Sequence, residues 1–405
     1  MQLCDFCGFV LNDGDAKCSN CAAQIPGREH LAIQTTKAES TIEKTVKSKF
    51  IPTTSSLSSY IPKKTIILLL VVGILVAPQT QSLLTKSIDY WDEMNTPYYN
   101  IPESVTLTFV RNFTILLDSG KSADYELILS KTENRPEWPQ QDTIAWQEVE
   151  VINISPEFEE TDVGRMKWSG NVNETHREYV EISYKVTVDT IRPELTSEDS
   201  GTLDDMPEGY ENYLDDDWLI EPSLPEIQEL AAEAVNGTDG NVIQILNNIF
   251  DYIASGYIYK ASSIPKSCPE SIANGYGDCD DFSILFSSIA RAAGIPTWME
   301  LGKIPAFIDV RSECDLRDWG GHAWVNALVP LSDGTVTVVS IDLANSYFMW
   351  MPPYRISDWV DDGNGDNLYS YYYLFSSQGN GRATYIENSY VSSCTTSGNI
   401  KLAEL

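Results

Sequence analysis

The segment Gly275-Tyr276-Gly277-Asp278-Cys279-Asp280-Asp281 predicts a glycine-rich turn that leads into an amphipathic helix. The helix is indicated by apolar residues at three- and four-residue spacing, and Gly294-Ile295-Pro296 predicts its end. These apolar residues are Phe282, Leu285, Phe286, Ile289 and Ala293. Cys279 therefore falls in the first helical turn, where free backbone N–H groups and the helix dipole favour an anion.

A cysteine in this position is a candidate nucleophile, because the thiolate is the reactive form of the side chain. Asp278, Asp280 and Asp281 surround Cys279 and oppose a second negative charge, so the thiolate needs a cationic partner. The chain has three histidines, and His322 is the only one that follows Cys279. The other two, His30 and His176, lie near the N-terminus and in a segment of strand character.

His322 begins an apolar run that ends at Pro330, and a second β-branched run ends at Asp342. Ser332-Asp333-Gly334 separates the two runs, which is typical of a β-hairpin. Antiparallel pairing would bring Asp342 close to His322, where a carboxylate orients the imidazole and stabilises the imidazolium. The predicted catalytic residues are thus Cys279, His322 and Asp342.

Each of these residues also has an ordinary structural interpretation. A cysteine is often a small buried apolar residue, and a glycine-rich turn before a helix needs no catalytic reason. Histidine and aspartate on strands are frequently ordinary hydrogen-bonded groups. Their joint occurrence, in the order Cys, His, Asp and on suitable elements, favours the catalytic interpretation.

Four segments together resemble the transglutaminase-like superfamily of microbial proteins, over roughly 210–375. These segments are Gly275-Tyr-Gly-Asp-Cys-Asp-Asp-Phe-Ser283, Ala290-Arg-Ala-Ala-Gly-Ile-Pro-Thr-Trp298, Gly321-His-Ala-Trp-Val325 and Ile341-Asp-Leu-Ala344. The resemblance implies a papain-related α+β core in which Cys279 attacks an amide or ester carbonyl. It also implies that His322 transfers protons, that Asp342 positions His322, and that the acyl group passes to an amine or to water.

The sequence departs from the family pattern in one place, because the strand before Asp342 lacks the tryptophan common in relatives. The second oxyanion donor is not assigned by the sequence. Tyr257 or Tyr259 lies where relatives often carry aromatic residues, and packing is the favoured role of either. Relatives include cross-linking transferases, peptidases, amidases and members without activity, so the resemblance leaves the reaction type open.

The N-terminal part of the chain differs from the rest in charge. Residues 1–86 hold nine Lys and Arg against six Asp and Glu, a net charge of +3, whereas the remainder holds 18 basic and 53 acidic residues, a net charge of −35. The segment 65–77 is continuously apolar but shorter than the about 20 residues that a membrane span needs. A buried or interfacial helix is the alternative, yet the apolar character resumes at Leu83-Leu84 and lysines precede the segment. We predict a single transmembrane helix at 63–86, with the N-terminus cytoplasmic and the catalytic domain outside the cell.

Two CxxC pairs lie on the predicted cytoplasmic side. Their four thiolates would satisfy a tetrahedral zinc ion, and a module of this size is too small to fold on an apolar core alone. The predicted ligands of this structural zinc ribbon are Cys4, Cys7, Cys18 and Cys21. Disulfides are the alternative, which a reducing cytosol disfavours.

Alternating apolar and polar residues predict a β-sandwich-like module before the catalytic domain. The clearest run has Val180, Ile182, Tyr184, Val186 and Val188 on one face. Further strands are predicted at 104–110, 113–118, 124–130 and 146–154, and helices near 224–235 and 241–255. The predicted organisation is a zinc ribbon at 1–27, a flexible linker at 28–62, the transmembrane helix at 63–86, the β-sandwich-like module at 100–195, the catalytic domain at 205–375 and a tail at 376–405.

Cysteines and acidic residues outside the site support two further expectations. Among Cys268, Cys314 and Cys394 one disulfide can form, and we expect Cys268 with Cys314. The oxygen-rich segment 361–367 is a candidate calcium site, although an exposed acidic turn is the commoner meaning. The strongly negative charge disfavours nucleic acid as a partner.

The sequence thus predicts a membrane-anchored, extracytoplasmic thiol enzyme of microbial or archaeal type. It would act on a protein or peptide acyl donor by acyl transfer or amide hydrolysis. The alternative is a catalytically inactive protein of the same fold that binds peptide or surface glycoprotein in the cell envelope.

Overall fold

The computed structural model describes residues 98–135, 146–262, 264–305 and 319–403, together with the paired backbone segments 2–3 and 10–11. The strands in chain order are β1 Gln2–Leu3, β2 Val10–Leu11, β3 Tyr98–Ile101, β4 Ser104–Ser119, β5 Ser122–Leu129, β6 Gln147–Ser155, β7 Glu159–Glu160, β8 Met166–Asn173, β9 Glu178–Asp189, β10 Ile258–Tyr259, β11 Tyr276–Gly277, β12 Thr297–Pro305, β13 Trp319–Pro330, β14 Val336–Asp342, β15 Tyr347–Phe348, β16 Ile356–Val360, β17 Phe375–Gln378, β18 Arg382–Ser397 and β19 Ile400–Ala403. The helices are α1 Pro225–Val235, α2 Val242–Gly256, α3 Cys268–Asn274, α4 Cys279–Ala292 and α5 Gly365–Tyr372.

Two four-stranded sheets form a β-sandwich, with strand orders β18-β4-β9-β6 and β17-β5-β8-β7. Side chains from both sheets share one apolar core, which includes Phe113 of β4, Leu127 of β5 and Trp168 of β8. The alternation in β9 is confirmed, because Val180, Ile182, Tyr184, Val186 and Val188 are all buried. Each sheet therefore buries one face and leaves the other polar, as expected for antiparallel strands.

The C-terminal segment 376–405, predicted as a tail, instead supplies strands to this sandwich. β18 pairs with β4 along its whole length, from Arg382 opposite Ser119 to Ser397 opposite Ser104. Few of its side chains are buried, among them Ala383 and Val391, so β18 lacks a strong apolar period. Its pairing depends on the long edge of β4, which lies far away in the sequence.

A second, five-stranded sheet has the order β15-β14-β13-β12-β16, and all its pairs are antiparallel. The predicted hairpin is confirmed as β13 and β14, and the predicted helices are confirmed as α1 and α2. α4 packs against β12 and β13 on one side and against α1, α2 and α3 on the other. This arrangement of helices on one antiparallel sheet is an α+β fold.

α4 is buried on all sides rather than only along its apolar stripe. Its polar face consists of the small residues Ser283, Ser287 and Ser288, which are almost inaccessible to solvent. Ser288 Oγ donates to the carbonyl of Ile284 at 2.8 Å and accepts from the backbone N–H of Glu221 at 2.9 Å. The small size of these side chains allows other segments to pack closely against this face.

Two predicted regions lie outside the described residues. The linker at 28–62 and the transmembrane helix at 63–86 both fall there, as do the cysteines predicted to bind zinc, Cys4, Cys7, Cys18 and Cys21. Among the helices that the structure describes, none has the length and apolar character needed to cross a membrane.

The predicted pairing of Cys268 with Cys314 is wrong. Cys268 is a free thiol, buried at the first residue of α3, with its sulfur 3.1 Å from Ser288 Oγ. Burial raises the pKa of the Cys268 thiol to about 11. Cys394 of β18 is the described cysteine that is disulfide-bonded. The Cys268 sulfur faces the interior between α3 and α4, where its neighbour is the Ser288 hydroxyl and not a second cysteine.

The antiparallel pairing of β12 with β16 depends on Gly302. A Cβ atom at this position would lie 1.9 Å from the backbone oxygen of Ile356, so any side chain must push β16 away from β12. We expect Gly302→Ala to lower the free energy of unfolding by about 1–3 kcal/mol, measured by urea denaturation. Gly320→Ala on the neighbouring strand β13 is the control, because a Cβ there meets open space. Equal free energies of unfolding for the two variants would contradict this role of Gly302 in the strand pairing.

Candidate active site

Cys279 is the first residue of α4, and its turn is fixed by two of the three neighbouring aspartates. Asp278 caps the helix and accepts from the backbone N–H of Ser262 at 2.7 Å. Asp281 accepts from the backbone N–H groups of Asp278 at 3.0 Å and Lys266 at 2.7 Å. These bonds hold the segment before α3 against the start of α4, and they leave Cys279 half-buried.

The hydrogen bond expected between His322 and Asp342 is present. His322 Nε2 donates to Asp342 Oδ2 over 2.8 Å, and both side chains are almost completely buried. β13 and β14 are paired neighbours, which brings the start of one strand beside the end of the other. Since Nε2 is engaged, Nδ1 is the ring nitrogen left for proton exchange.

Asn345, in the turn after β14, completes the surroundings of Asp342. Its Nδ2 donates to Asp342 Oδ2 at 2.8 Å, and its backbone N–H donates to Asp342 Oδ1 at 3.2 Å. Nδ2 also lies 3.3 Å from His322 Nε2. Sequence reasoning missed Asn345, although an amide three residues after the orienting aspartate could have suggested it.

Cys279 and His322 line the same cavity, which has a volume of about 230 Å³. The backbone N–H of Ala323, the residue after His322, lies close enough to the sulfur to favour the thiolate. β13 therefore supplies both the imidazole and a backbone hydrogen-bond donor to the surroundings of Cys279. The Cys279 thiol itself lies 3.9 Å from Asp280 Oδ1.

Burial raises the pKa of the Cys279 thiol well above its usual value, and the carboxylates of Asp280 and Asp278 raise it further. Burial and the Asp278 carboxylate likewise raise the pKa of Asp280, to about 6. Tyr372 of α5 donates from its hydroxyl to Asp280 Oδ1 at 2.9 Å. The resting site therefore favours the neutral thiol, although the helix N-terminus led us to expect a thiolate held by a cationic partner, and proton transfer to His322 must accompany attack.

Tyr257 and Tyr259 do not line the cavity. Their rings lie 6.4 Å and 6.2 Å from the Phe282 ring, in edge-on packing. The Tyr257 hydroxyl lies 3.3 Å from the hydroxyl of Tyr252. Both tyrosines thus pack beside the first turn of α4, which agrees with the packing role favoured from the sequence.

The part of the cavity wall away from Cys279 and His322 is formed by the sandwich and by β12 and β16. The sequence analysis did not predict this wall. Arg111 of β4 donates to Glu387 of β18 at 2.9 Å and to Asp358 of β16 at 3.5 Å. Lys303 of β12 donates to the same Glu387 oxygen at 3.4 Å. These four residues form a cluster of two cations and two carboxylates. No local pattern marks it, because each member comes from a different strand.

The acidic segment 361–367 is held by hydrogen bonds of its own. Asp361 pairs with Arg291 of α4 at 3.4 Å and accepts from the backbone N–H of Gly363 at 3.0 Å. Asp362 accepts from Asn367 Nδ2 at 2.8 Å. Within the part of the chain that the structure describes, no three histidine, cysteine, aspartate or glutamate side chains gather as a metal site. Calcium binding by this segment stays a prediction.

The segment that contains Cys279 and His322 is similar to a known protein family. Residues 228–339 match the family model of the transglutaminase-like superfamily, and they contain Cys279 and His322. The chain therefore carries a transglutaminase-like domain, and the resemblance predicted from its motifs is confirmed. None of the curated proteins compared with the chain matches it.

Three of the solved structures that match the chain differ in their extent of similarity to it. A candidate cysteine protease from Cytophaga hutchinsonii is 16% identical with a TM-score of 0.47, and the match covers 74% of this chain and 93% of that one. A candidate protease from Parabacteroides distasonis is 16% identical with a TM-score of 0.25, covering 64% and 48%. The periplasmic domain of TgpA from Pseudomonas aeruginosa, bound to ethylmercury, is 13% identical with a TM-score of 0.28, covering 59% and 90%.

The acidic neighbours of Cys279 generate a prediction about its ionisation. Asp280→Asn removes a carboxylate that raises the pKa of Cys279, while the amide oxygen can still accept from Tyr372. We expect alkylation of Cys279 by iodoacetamide to begin at lower pH in this variant, measured by peptide mass spectrometry. Asp251→Asn, at an exposed position of α2, makes the same change in net charge and should leave the profile unchanged. An unshifted profile in Asp280→Asn would show that this carboxylate does not control the thiol.

Proposed function

We propose that this protein is a thiol enzyme that transfers or hydrolyses acyl groups through Cys279, His322 and Asp342. The observation that carries the proposal is a cavity lined by both Cys279 and His322, with His322 Nε2 held 2.8 Å from Asp342 Oδ2. A nucleophile, a base and an orienting carboxylate on rigid elements are the requirements of acyl transfer.

The proposed reaction begins when the Cys279 sulfur bonds to a carbonyl carbon of the substrate and its proton passes to His322 Nδ1. Asp342 stabilises the imidazolium, and first-turn N–H groups of α4 are available to the oxyanion. Collapse breaks the bond to the leaving amine, which departs with the proton from His322. An amine or water then attacks the thioester while His322 takes its proton, and the sulfur leaves as a thiol.

The substrate class and the location are also proposals. A protein or peptide acyl donor fits an amide-cleaving thiol enzyme, and the lysines before 65–77 favour a catalytic domain outside the membrane. Single-pass anchoring at 63–86 would keep the enzyme at the outer face of the cell membrane. A strongly acidic surface would repel nucleic acid from this face.

The enzymatic proposal is tested with p-nitrophenyl acetate, a small activated ester that acylates reactive catalytic thiols. We expect acetylation of Cys279 and turnover in the full chain, with the rate reduced about a thousandfold in Cys279→Ala and in His322→Ala. Cys268→Ala is the control, because this second free thiol lies away from the cavity. Added methylamine divides the products between N-methylacetamide and acetate, which distinguishes transfer from hydrolysis.

If Cys279 is unreactive, or if its reactivity is the same in His322→Ala, the enzymatic proposal is rejected. The catalytically inactive binding protein would then be the remaining interpretation of the same fold.

The proposed zinc ribbon has a separate test, because it does not depend on catalysis. Two CxxC pairs supply four thiolates, so the purified full chain should contain about one zinc ion. We expect the double variant Cys7→Ser and Cys21→Ser to lose this zinc, measured by elemental analysis. Cys268→Ala should retain it. Zinc content that is unaffected by the double change would contradict the ligand assignment.

A further inference from the structure

A third cationic side chain lines the cavity beside Cys279, and it forms no ion pair with a carboxylate of the described residues. Arg165 lies in the turn between β7 and β8 of the sandwich and lines the same cavity as Cys279 and His322. It is 4% exposed, so its guanidinium has little access to bulk water. A buried charge of this kind normally has a carboxylate partner.

Arg165 has no such partner among the described residues, in contrast to Arg111 and Lys303. The latter two are neutralised by Asp358 and Glu387. Arg165 Nη1 instead donates to Ser370 Oγ at 2.8 Å, and Nη2 donates to the carbonyl of Asn367 at 2.9 Å. Both acceptors are uncharged; the Asp362 carboxylate acts on Arg165 electrostatically, but no carboxylate in the described part of the chain forms an ion pair with the guanidinium.

The guanidinium also keeps unused hydrogen-bonding capacity. Its Nε is buried and has no hydrogen-bond partner. The guanidinium carbon lies 5.5 Å from the Trp359 ring and 5.8 Å from the Tyr371 ring, which hold it in place. A guanidinium presents five N–H donors in a rigid fork, and two of them are used here. The remaining donors suit a planar anion such as a carboxylate.

We propose that Arg165 is a specificity residue that binds a carboxylate of the acyl donor in the cavity beside Cys279. The inference rests on the proposed function, since it assigns the substrate class of the same site. Arg165 and Cys279 line one cavity of about 230 Å³, so a substrate bound there is placed between the guanidinium and the thiol. The acyl donor is therefore an acidic or carboxyl-terminal residue of a peptide, in which the carboxylate lies close to the reacting carbonyl.

The first experiment compares two alkylating agents of nearly equal size. Iodoacetate carries a carboxylate, and iodoacetamide is its neutral analogue, so the ratio of their rates at Cys279 reports attraction of the anion. We expect Arg165→Gln to lower this ratio about tenfold or more, because a charge-assisted hydrogen bond is lost. Any change in the ionisation of Cys279 affects both agents alike and cancels in the ratio. Arg177→Gln, at an exposed site of the sandwich, changes the net charge equally and should leave the ratio unaltered.

The second experiment uses peptide-like ligands and does not depend on thiol chemistry. Binding to the Cys279→Ala chain is measured by isothermal titration with N-acetylglutamine amide, N-acetylglutamine and N-acetylglutamic acid α-amide. The first has no carboxylate, the second has only the α-carboxylate, and the third has only the side-chain carboxylate. We expect one carboxylate ligand to bind at least about tenfold more tightly than the neutral amide. The ligand that does so distinguishes a chain terminus from an acidic side chain.

The two experiments separate the failure of this inference from the failure of the proposed function. If Cys279 is unreactive, the proposed enzymatic function is rejected. The titration of Cys279→Ala still shows whether the cavity binds a carboxylate. If Arg165→Gln does not fold, Arg165→Lys replaces it. The titration of Cys279→Ala with the three ligands needs no substitution of Arg165, so its result remains valid in either case. Equal affinities for the three ligands, or an unchanged alkylation ratio in a folded Arg165→Gln, would overturn the inference.

Discussion

The hydrogen bond between His322 and Asp342 is the interaction on which the geometry of the site depends. It forms because β13 is a central strand, paired on one side with β12 and on the other with β14. The buried carboxylate of Glu300 on β12 adds to this constraint, since it accepts from Trp324 Nε1 at 2.9 Å and Asn326 Nδ2 at 3.0 Å. Strand pairing and these cross-strand bonds together determine where the imidazole lies relative to α4.

A second constraint joins the sandwich to this sheet. Arg111, Lys303, Asp358 and Glu387 come from four strands, two in the sandwich and two in the sheet. Although burial by itself raises the pKa of Glu387, Arg111 and Lys303 lower it to about 2, so this carboxylate stays ionised. Buried ion pairs contribute little net stability but penalise any arrangement that separates them. The cluster therefore specifies how the two parts meet, and their meeting forms the cavity.

Local patterns predicted the elements that carry the candidate triad. The apolar spacing from Phe282 onward predicted α4, and the two runs around Ser332-Asp333-Gly334 predicted β13 and β14. Apolar periodicity did not predict burial or strand formation where polar residues are buried or where a strand has few apolar residues. The serine face of α4 is buried against other segments, and β18 is a strand without a strong apolar period. Cys268 was predicted in a disulfide, since residue type alone does not show which side of α3 faces the interior.

Local sequence patterns specify the elements and the residue types on them: a cysteine at a helix N-terminus, and a histidine and an aspartate on paired strands. These features are local, because hydrogen-bond periodicity and turn chemistry act over a few residues. The packing of distant elements creates the cavity beside Cys279, the neutralised cluster and the buried site of Arg165, which has no ion pair with a described carboxylate. Those groups meet only when β4, β18 and the turn before β8 pack against the sheet. Contacts between residues so far apart in the chain depend on the packing of whole elements, which no local pattern encodes.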